Sequence, residues 1–288
     1  MRKFVSLAAV AALAATGLAA AGLTATPALA QTKEAAVPAN PALDAALASK
    51  IRGEDGKRDK FRHPAETLAF FGVEPGMTVV DYMPNGWWYT RVLVPYLGKD
   101  GAYIGMNPDV ASQTGYMKNT YDDVAGKLAA EHAKWAGPSD ARVSGFNANA
   151  VPEGLDGTVD RVLIFREVHN MFRFDWLRRD LAIMRTMLKP GGLIGITDHR
   201  VAENVPFERS DGSKGYMRES DVIALFAASG FDLVAKSEIN ANPKDTTDWP
   251  IGVWELPPSY AGADDAKKAK MDAIGESDRM TMLFRKRP

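Results

Sequence analysis

The chain has no cysteine. That absence excludes a disulfide framework, a thiolate nucleophile and Cys-ligated zinc or iron–sulfur sites, so any covalent chemistry must use another side chain. Net charge is nearly absent too, −1 over 288 residues with no long basic run, which removes the electrostatic footprint that a nucleic-acid backbone requires. No nucleic-acid partner is expected. Glycine is scarce where a dinucleotide would need it: the turn after the first strand contains Gly86 alone instead of G-x-G-x-x-G, which argues against NAD and FAD. What is present, 46% hydrophobic and 25% charged residues, is the composition of an ordinary folded protein of one or two domains.

Met1-Arg2-Lys3, an Ala- and Leu-rich apolar stretch and Pro27-Ala28-Leu29-Ala30 together read as a secretory signal over residues 1–30, cleaved after Ala30. The alternative is an uncleaved anchor, because the stretch approaches the roughly 18 residues that span a bilayer, but its many Ala and Gly residues make it weakly hydrophobic. No cysteine follows for lipidation and no paired arginines precede it, which favours the general secretion route. The expected mature protein is soluble, periplasmic or secreted, without stable membrane anchoring. Residues 31–48 are rich in Ala and Pro and read as a linker, leaving residues 49–288 as a single domain.

Within that domain the pattern is helical from Ile51 to Phe71, and then apolar runs alternate with helical stripes. Strands are expected at Thr78 to Met83, Ala102 to Met106, Ala141 to Phe146, Val159 to Phe165 and Leu193 to Thr197. A helix follows most of them, the first with a kink at Pro95. Alternation of this kind implies right-handed crossovers and a parallel sheet covered on both faces. Two further strands, Phe231 to Ile239 and Arg279 to Arg285, are joined by a polar, Pro-rich connection with no complete helical crossover, so an antiparallel closing pair is expected.

Ligands of such sheets bind outside the carboxyl ends of the strands, so the residues after each strand are the candidates. The first strand leads into Asp81-Tyr82-Met83-Pro84-Asn85-Gly86-Trp87-Trp88-Tyr89. Asp81 is suited to accept hydrogen bonds from an ammonium group, and Trp87, Trp88 or Tyr89 to face a cation. The plainer reading is that Asp81 caps the turn and the aromatic residues are core.

The strand with Asp81, the helix after it and above all Met187-Leu188-Lys189-Pro190-Gly191-Gly192-Leu193-Ile194-Gly195-Ile196 resemble the class I S-adenosylmethionine-dependent methyltransferases, in which an L-K-P-G-G turn precedes the fifth strand. Ala273 to Met280, Gly86-Trp87-Trp88-Tyr89 and Asp198-His199-Arg200 resemble an exported subgroup of predicted methyltransferases. The resemblance implies a Rossmann-like α/β fold, a seven-stranded, mostly parallel sheet with an antiparallel last strand. It also implies S-adenosylmethionine as cofactor. It assigns Asp81 and the Pro84-Asn85-Gly86 turn to the methionine part, Asn107 or Asp109 to the ribose and Asn147 to the adenine; Trp87 and Glu167 are further cofactor-binding candidates. Two departures stand out: the first loop keeps only one glycine, and Asn107 replaces the acid that ordinarily ends the second strand.

In this architecture the fourth strand delivers Phe165-Arg166-Glu167-Val168-His169-Asn170 over the reaction centre. Methyl transfer to an O–H or N–H acceptor requires alignment and removal of one proton, and His169 is the first candidate base. A structural hydrogen bond or an adenine contact is its alternative. Asp198 and His199 end the fifth strand and are the other catalytic candidates; alternation along a strand should send them to opposite faces. His169, Asp198 and His199 are also the one possible metal-ligand set on that edge, but no metal is expected. His63 and Glu66, i and i+3 on a helix, read as a solvated face. The stretch Asn240 to Pro258, with Trp249 and Trp254, reads as either a lid or packing over the sheet edge. The function so implied is methyl transfer to a small or medium-sized acceptor. An exported ligand-binding module without chemistry, and a lyase or hydrolase using His169 and Asp198, are the alternatives.

Overall fold

The computed structural model describes residues 39–288; the leader and residues 31–38 of the expected linker lie outside the described residues. The apolar runs form parallel neighbours: β1 (Thr78–Tyr82), β2 (Ala102–Asn107), β3 (Arg142–Asn147), β4 (Val159–Phe165) and β5 (Leu188–Val201). A two-residue strand, β6 (Met217–Arg218), pairs with the end of β5. Then come β7 (Phe231–Ser237) and β8 (Arg279–Lys286), and β8 runs antiparallel to both β5 and β7. The order is β3-β2-β1-β4-β5-β8-β7, so the seven expected strands are present with β6 as an eighth off the path. The direction of the chain across the sheet reverses between β1 and β4, which opens the crevice where ligands bind in such folds.

Side chains alternate between two cores. Val80, Tyr82, Met106, Val162, Ile164, Ile194 and Ile196 face one, under the helices Leu177–Met187 and Glu219–Ala228; Val79, Tyr103, Leu163 and Phe165 face the other, under the helix Thr90–Leu97. Asp81 shares the second face by the same period of two. Gly195 lies opposite Phe71 on that face, and a Cβ there would come within 2.4 Å of the Phe71 ring. Phe71 thus seats the chain preceding β1 on the sheet. Gly195→Ala is expected to destabilise the protein by about 1–3 kcal/mol through overpacking, readable as a lower denaturant midpoint at unchanged slope.

The structure corrects several boundaries. Residues 51–71 are not one helix: a 3-10 segment (Lys50–Arg58) and two short helices (Asp59–Arg62, Pro64–Phe70) are separated by His63 at φ 41°. Pro64 excludes the ordinary helical conformation at the residue before it, and the chain turns there. The expected linker is a helix from Pro41 to Leu47, begun by the Asn40 side chain, which accepts from the Leu43 N–H, and it buries Leu43 and Ala46. The connection from β7 to β8 contains a helix, Asp265–Ile274, capped by Asp264. Strand β5 is longer than expected at both ends. Leu188 pairs with Val159 and Leu193 with Arg161, so Lys189 to Gly192 loop out as a bulge with Gly191 at φ 70°. Among the described residues no helix is long and apolar enough to cross a membrane.

Candidate active site

A cavity of about 260 Å³ lies at the carboxyl ends of β1, β4 and β5. Asp81, Pro84 and Asn85 reach it from β1, Phe165 to Glu167 and His169 from the end of β4, and His199 from β5. Arg62, Val253, Trp254, Pro257 and Ser277 close it from the segments before β1 and after β7. The Asn240–Pro258 stretch therefore supplies part of the wall through its own Trp254.

Strand alternation holds at the end of β5. His199 lines the cavity, whereas Asp198, fully buried, faces the other way and meets the helix Val168–Arg173. The His169 backbone N–H donates to Asp198 Oδ2 at 2.7 Å, and His169 Nδ1 lies 3.0 Å from Asp198 Oδ1. A carboxylate can only accept, so Nδ1 carries the proton and Nε2 keeps its lone pair on a residue that lines the cavity. His199 is 5.2 Å from His169 between ring centroids, with Nδ1 beside Ser277 Oγ. Burial first, then the charges of His169, Arg166, Arg279 and Arg62, hold its pKa well below the ordinary value, so His199 is neutral near pH 7.

His169, Asp198 and His199 each offer a ligand atom within 4.8 Å of the others. Imidazole and carboxylate suit a divalent transition metal. Both Asp198 oxygens and His199 Nδ1 are already engaged within the chain, the first two by His169 and the third by Ser277.

The cavity also holds two buried carboxyl groups without an ion-pair partner among the described residues, Asp81 near the end of β1 and Glu167 two residues before His169. Asp81 accepts from the Tyr103 hydroxyl at 2.7 Å, and burial pushes its pKa up to about 7 against that hydrogen bond. Glu167 accepts from Asn170 Nδ2; burial likewise raises it to about 7, opposed mainly by His169. Burying carboxyl groups without cations is costly, and a cationic ligand would relieve it.

The remaining cofactor candidates are distributed differently. Gly86, at φ 72°, gives its carbonyl to Arg91 Nη2. Trp87 lines a second depression of about 20 Å³ with Asn107, and Pro84, Asn85 and Tyr121 line both spaces. Asn107 Nδ2 donates to the Tyr121 carbonyl, while its Oδ1 is buried without a partner. Asp109 caps Ala111 and pairs with Arg179. Asn147 donates to the Pro108 and Tyr121 carbonyls and accepts from the Val124 N–H. Asn147 thus ties its own loop to those after β2, and Asp109 divides its oxygens between Ala111 and Arg179. Trp88 does meet cations, but they are the chain's own Arg52 and Arg62, 5.0 and 4.7 Å from its ring.

Solved structures resemble this chain at the level of the fold. The [4+2]-cyclase SpnF is similar over 85% of this chain and 94% of its own, with 14% identity and a TM-score of 0.52. A SAM dependent methyltransferase from Aquifex aeolicus is similar over 66% of this chain and 92% of its own, with 19% identity and a TM-score of 0.49. The chain has the Rossmann-like fold of the class I methyltransferases. No family model matches it, and neither does any curated protein. At these identities the likeness carries the fold alone, and SpnF bears the name of a cyclase, so the reaction has to be argued from the site.

Among the cavity residues that the sequence pattern does not single out are Arg62, Arg166, Tyr121, Glu276 and Ser277. Arg166 directly follows an apolar run, which is a usable signal. Arg62 sits in a stretch of alternating charges that looks like a solvated helix, and only the turn at His63 brings it inside.

Proposed function

We propose that the protein transfers a methyl group from S-adenosylmethionine to a small acceptor, with His169 as the general base. The observation that carries this reading is the pairing of His169 with buried Asp198 on a cavity that is also lined by the carboxyl groups of Asp81 and Glu167, neither of which has an ion-pair partner among the described residues. The cofactor supplies, when bound, a methyl carbon made electrophilic by a sulfonium. Its fit can be judged on the residues present. Asp81 and Glu167 suit the ammonium and sulfonium charges, and the orphaned Asn107 Oδ1 suits a ribose hydroxyl at the end of β2. Tyr121, which lines both spaces, is the side chain that would border the nucleoside.

The chain's own contribution is then alignment and proton removal. His169 Nε2 would take the acceptor's O–H or N–H proton and so free the oxygen or nitrogen lone pair for the methyl group that the bound cofactor would supply, with a neutral thioether as the leaving group. Asp198 holds the imidazole in the tautomer that can do this and stabilises the imidazolium. The leader-like start supports placing this activity outside the cytoplasm.

Calorimetry with S-adenosylmethionine and its demethylated product on the mature protein is the deciding measurement. Micromolar binding of both is expected. Silence from both would remove the methyl-transfer reading and leave the His169–Asp198 pair to the ligand-binding or lyase alternative.

A further inference from the structure

The cavity wall that includes Arg62, Arg166 and Glu276 has an excess of buried positive charge. Glu276 Oε1 or Oε2 is contacted by Arg58 at 2.7 Å, Arg62 at 3.1 Å and Arg279 at 3.2 Å. One carboxylate therefore serves three guanidinium groups, of which Arg62 and Arg279 are only 2% and 3% exposed. Arg166 adds a fourth. It is half-buried, lines the cavity at φ 63°, and forms no ion pair among the described residues. The donors are not all used either: Arg62 Nη2, Arg58 Nη2 and Arg279 Nε are buried without a hydrogen-bond partner.

An arginine cannot shed its proton to relieve such crowding, and a buried guanidinium needs both a counter-charge and acceptors for its donors. The strain shows in the titration behaviour. Burial, followed by Arg166, pulls Arg62 well below the ordinary arginine value against the pull of Glu276, and the same three arginines hold Glu276 down to about 2. What this cluster lacks is a second anion, and the space beside it is the cavity.

We infer that the Arg62–Arg166 wall binds an oxyanion, a carboxylate or phosphate, carried by the acceptor substrate. The planar fork of a guanidinium matches two oxygens of such a group, so a pair of them gives orientation as well as charge. Its position favours the acceptor over the methionine carboxylate of the cofactor. Glu276, which gathers Arg58, Arg62 and Arg279, directly precedes Ser277, whose Oγ lies 2.5 Å from His199 Nδ1, so the cluster borders His199. The anion would therefore sit on the His199 side, with the group to be methylated turned toward His169. This substrate class rests on the methyl-transfer reading, but the binding site itself does not.

The test uses inorganic phosphate and succinate as probes, with calorimetry and thermal melting of the full chain at constant ionic strength. Both probes are expected to bind wild type and raise its melting temperature, and chloride to do neither. Arg166→Gln, at a half-exposed position, is expected to weaken both at least tenfold. Arg62→Lys, which keeps the charge over Trp88 but loses the fork, serves as the second variant, and each is checked for an intact fold by its unliganded melt. Phosphate and succinate binding that is absent in wild type, or undiminished in both folded variants, overturns the inference. A parallel titration uses S-adenosylmethionine and its decarboxylated analogue. If the variants lose affinity for the first but not the second, the arginines serve the cofactor carboxylate and the acceptor assignment is wrong. If neither nucleoside binds wild type while phosphate does, the anion site stands and the methyl-transfer reading falls.

Discussion

Methyl transfer by His169→Ala is expected to fall by about 10²–10⁴-fold, the range a positioned general base contributes. The reason is specific to one atom. Nδ1 is occupied by Asp198, so Nε2 is the atom of His169 that can take a proton from an acceptor in the cavity. His199, 5.2 Å away between ring centroids, also lines the cavity with its Nδ1 beside Ser277, and the double variant with His199→Ala measures any proton transfer it takes over. Asp198→Asn should cost a similar factor for a different reason. An asparagine can present its NH₂ to Nδ1, which favours the tautomer whose lone pair faces away from the cavity. Two readouts separate this from mere loss of structure. An acceptor analogue that is already ionised should be methylated by His169→Ala at close to the wild-type rate, since it has no proton to lose. The KM for the cofactor should stay within about twofold in both variants, since the cofactor's charges are met by Asp81 and Glu167 instead. Unchanged kcat in His169→Ala at every pH would remove the base assignment.

The parts of the site that were legible in the sequence and the parts that were not divide along a physical line. The central parts of β1, β2, β4 and β5 are apolar runs because both faces are covered, and a run of that kind places the residues just beyond it at the ligand-binding edge. Asp81, Glu167, His169 and His199 all reached the cavity because each ends or succeeds such a run. The alternation rule also separated Asp198 from His199 correctly, although β5 continues past both. Contacts set by loop geometry were not legible. Asp109 and Asn147 stand at the expected places after β2 and β3, yet their polar atoms close turns with Ala111, Pro108, Tyr121 and Val124. Local acceptors and donors satisfy such side chains at little entropic cost, and no periodicity reveals it. Arg62 is the converse case. Its neighbours Arg58, Asp59 and Lys60 give it the look of a surface residue, and its burial depends on Glu276, 214 positions away.

Asp81→Asn is expected to abolish high-affinity cofactor binding and to stabilise the empty protein at neutral and alkaline pH. The stability half is a matter of linkage. The Asp81 carboxyl titrates near its ordinary 3.8 in the unfolded chain and at about 7 in the fold, where burial disfavours its charge. Between those values the folded state holds a proton that the unfolded state has released, so stability is fully present below about pH 4 and is lost as pH rises to about 7. Asparagine removes that loss, a gain of a few kcal/mol above pH 7, while still accepting the Tyr103 hydroxyl. Glu167, also raised to about 7, keeps its own share, so the slope of stability against pH should flatten without vanishing. The binding half uses the same burial in reverse. A carboxylate that meets an ammonium group in a dry cleft is worth more than one in water, and its removal should lower affinity by about 10- to 100-fold. Wild-type binding at pH 6 should release a proton, visible as a dependence of the calorimetric enthalpy on the buffer, and the variant should show none from this site. An Asp81→Asn protein that binds S-adenosylmethionine as tightly as wild type, with the same proton release, would show that this buried acid is structural and that the cation is held elsewhere.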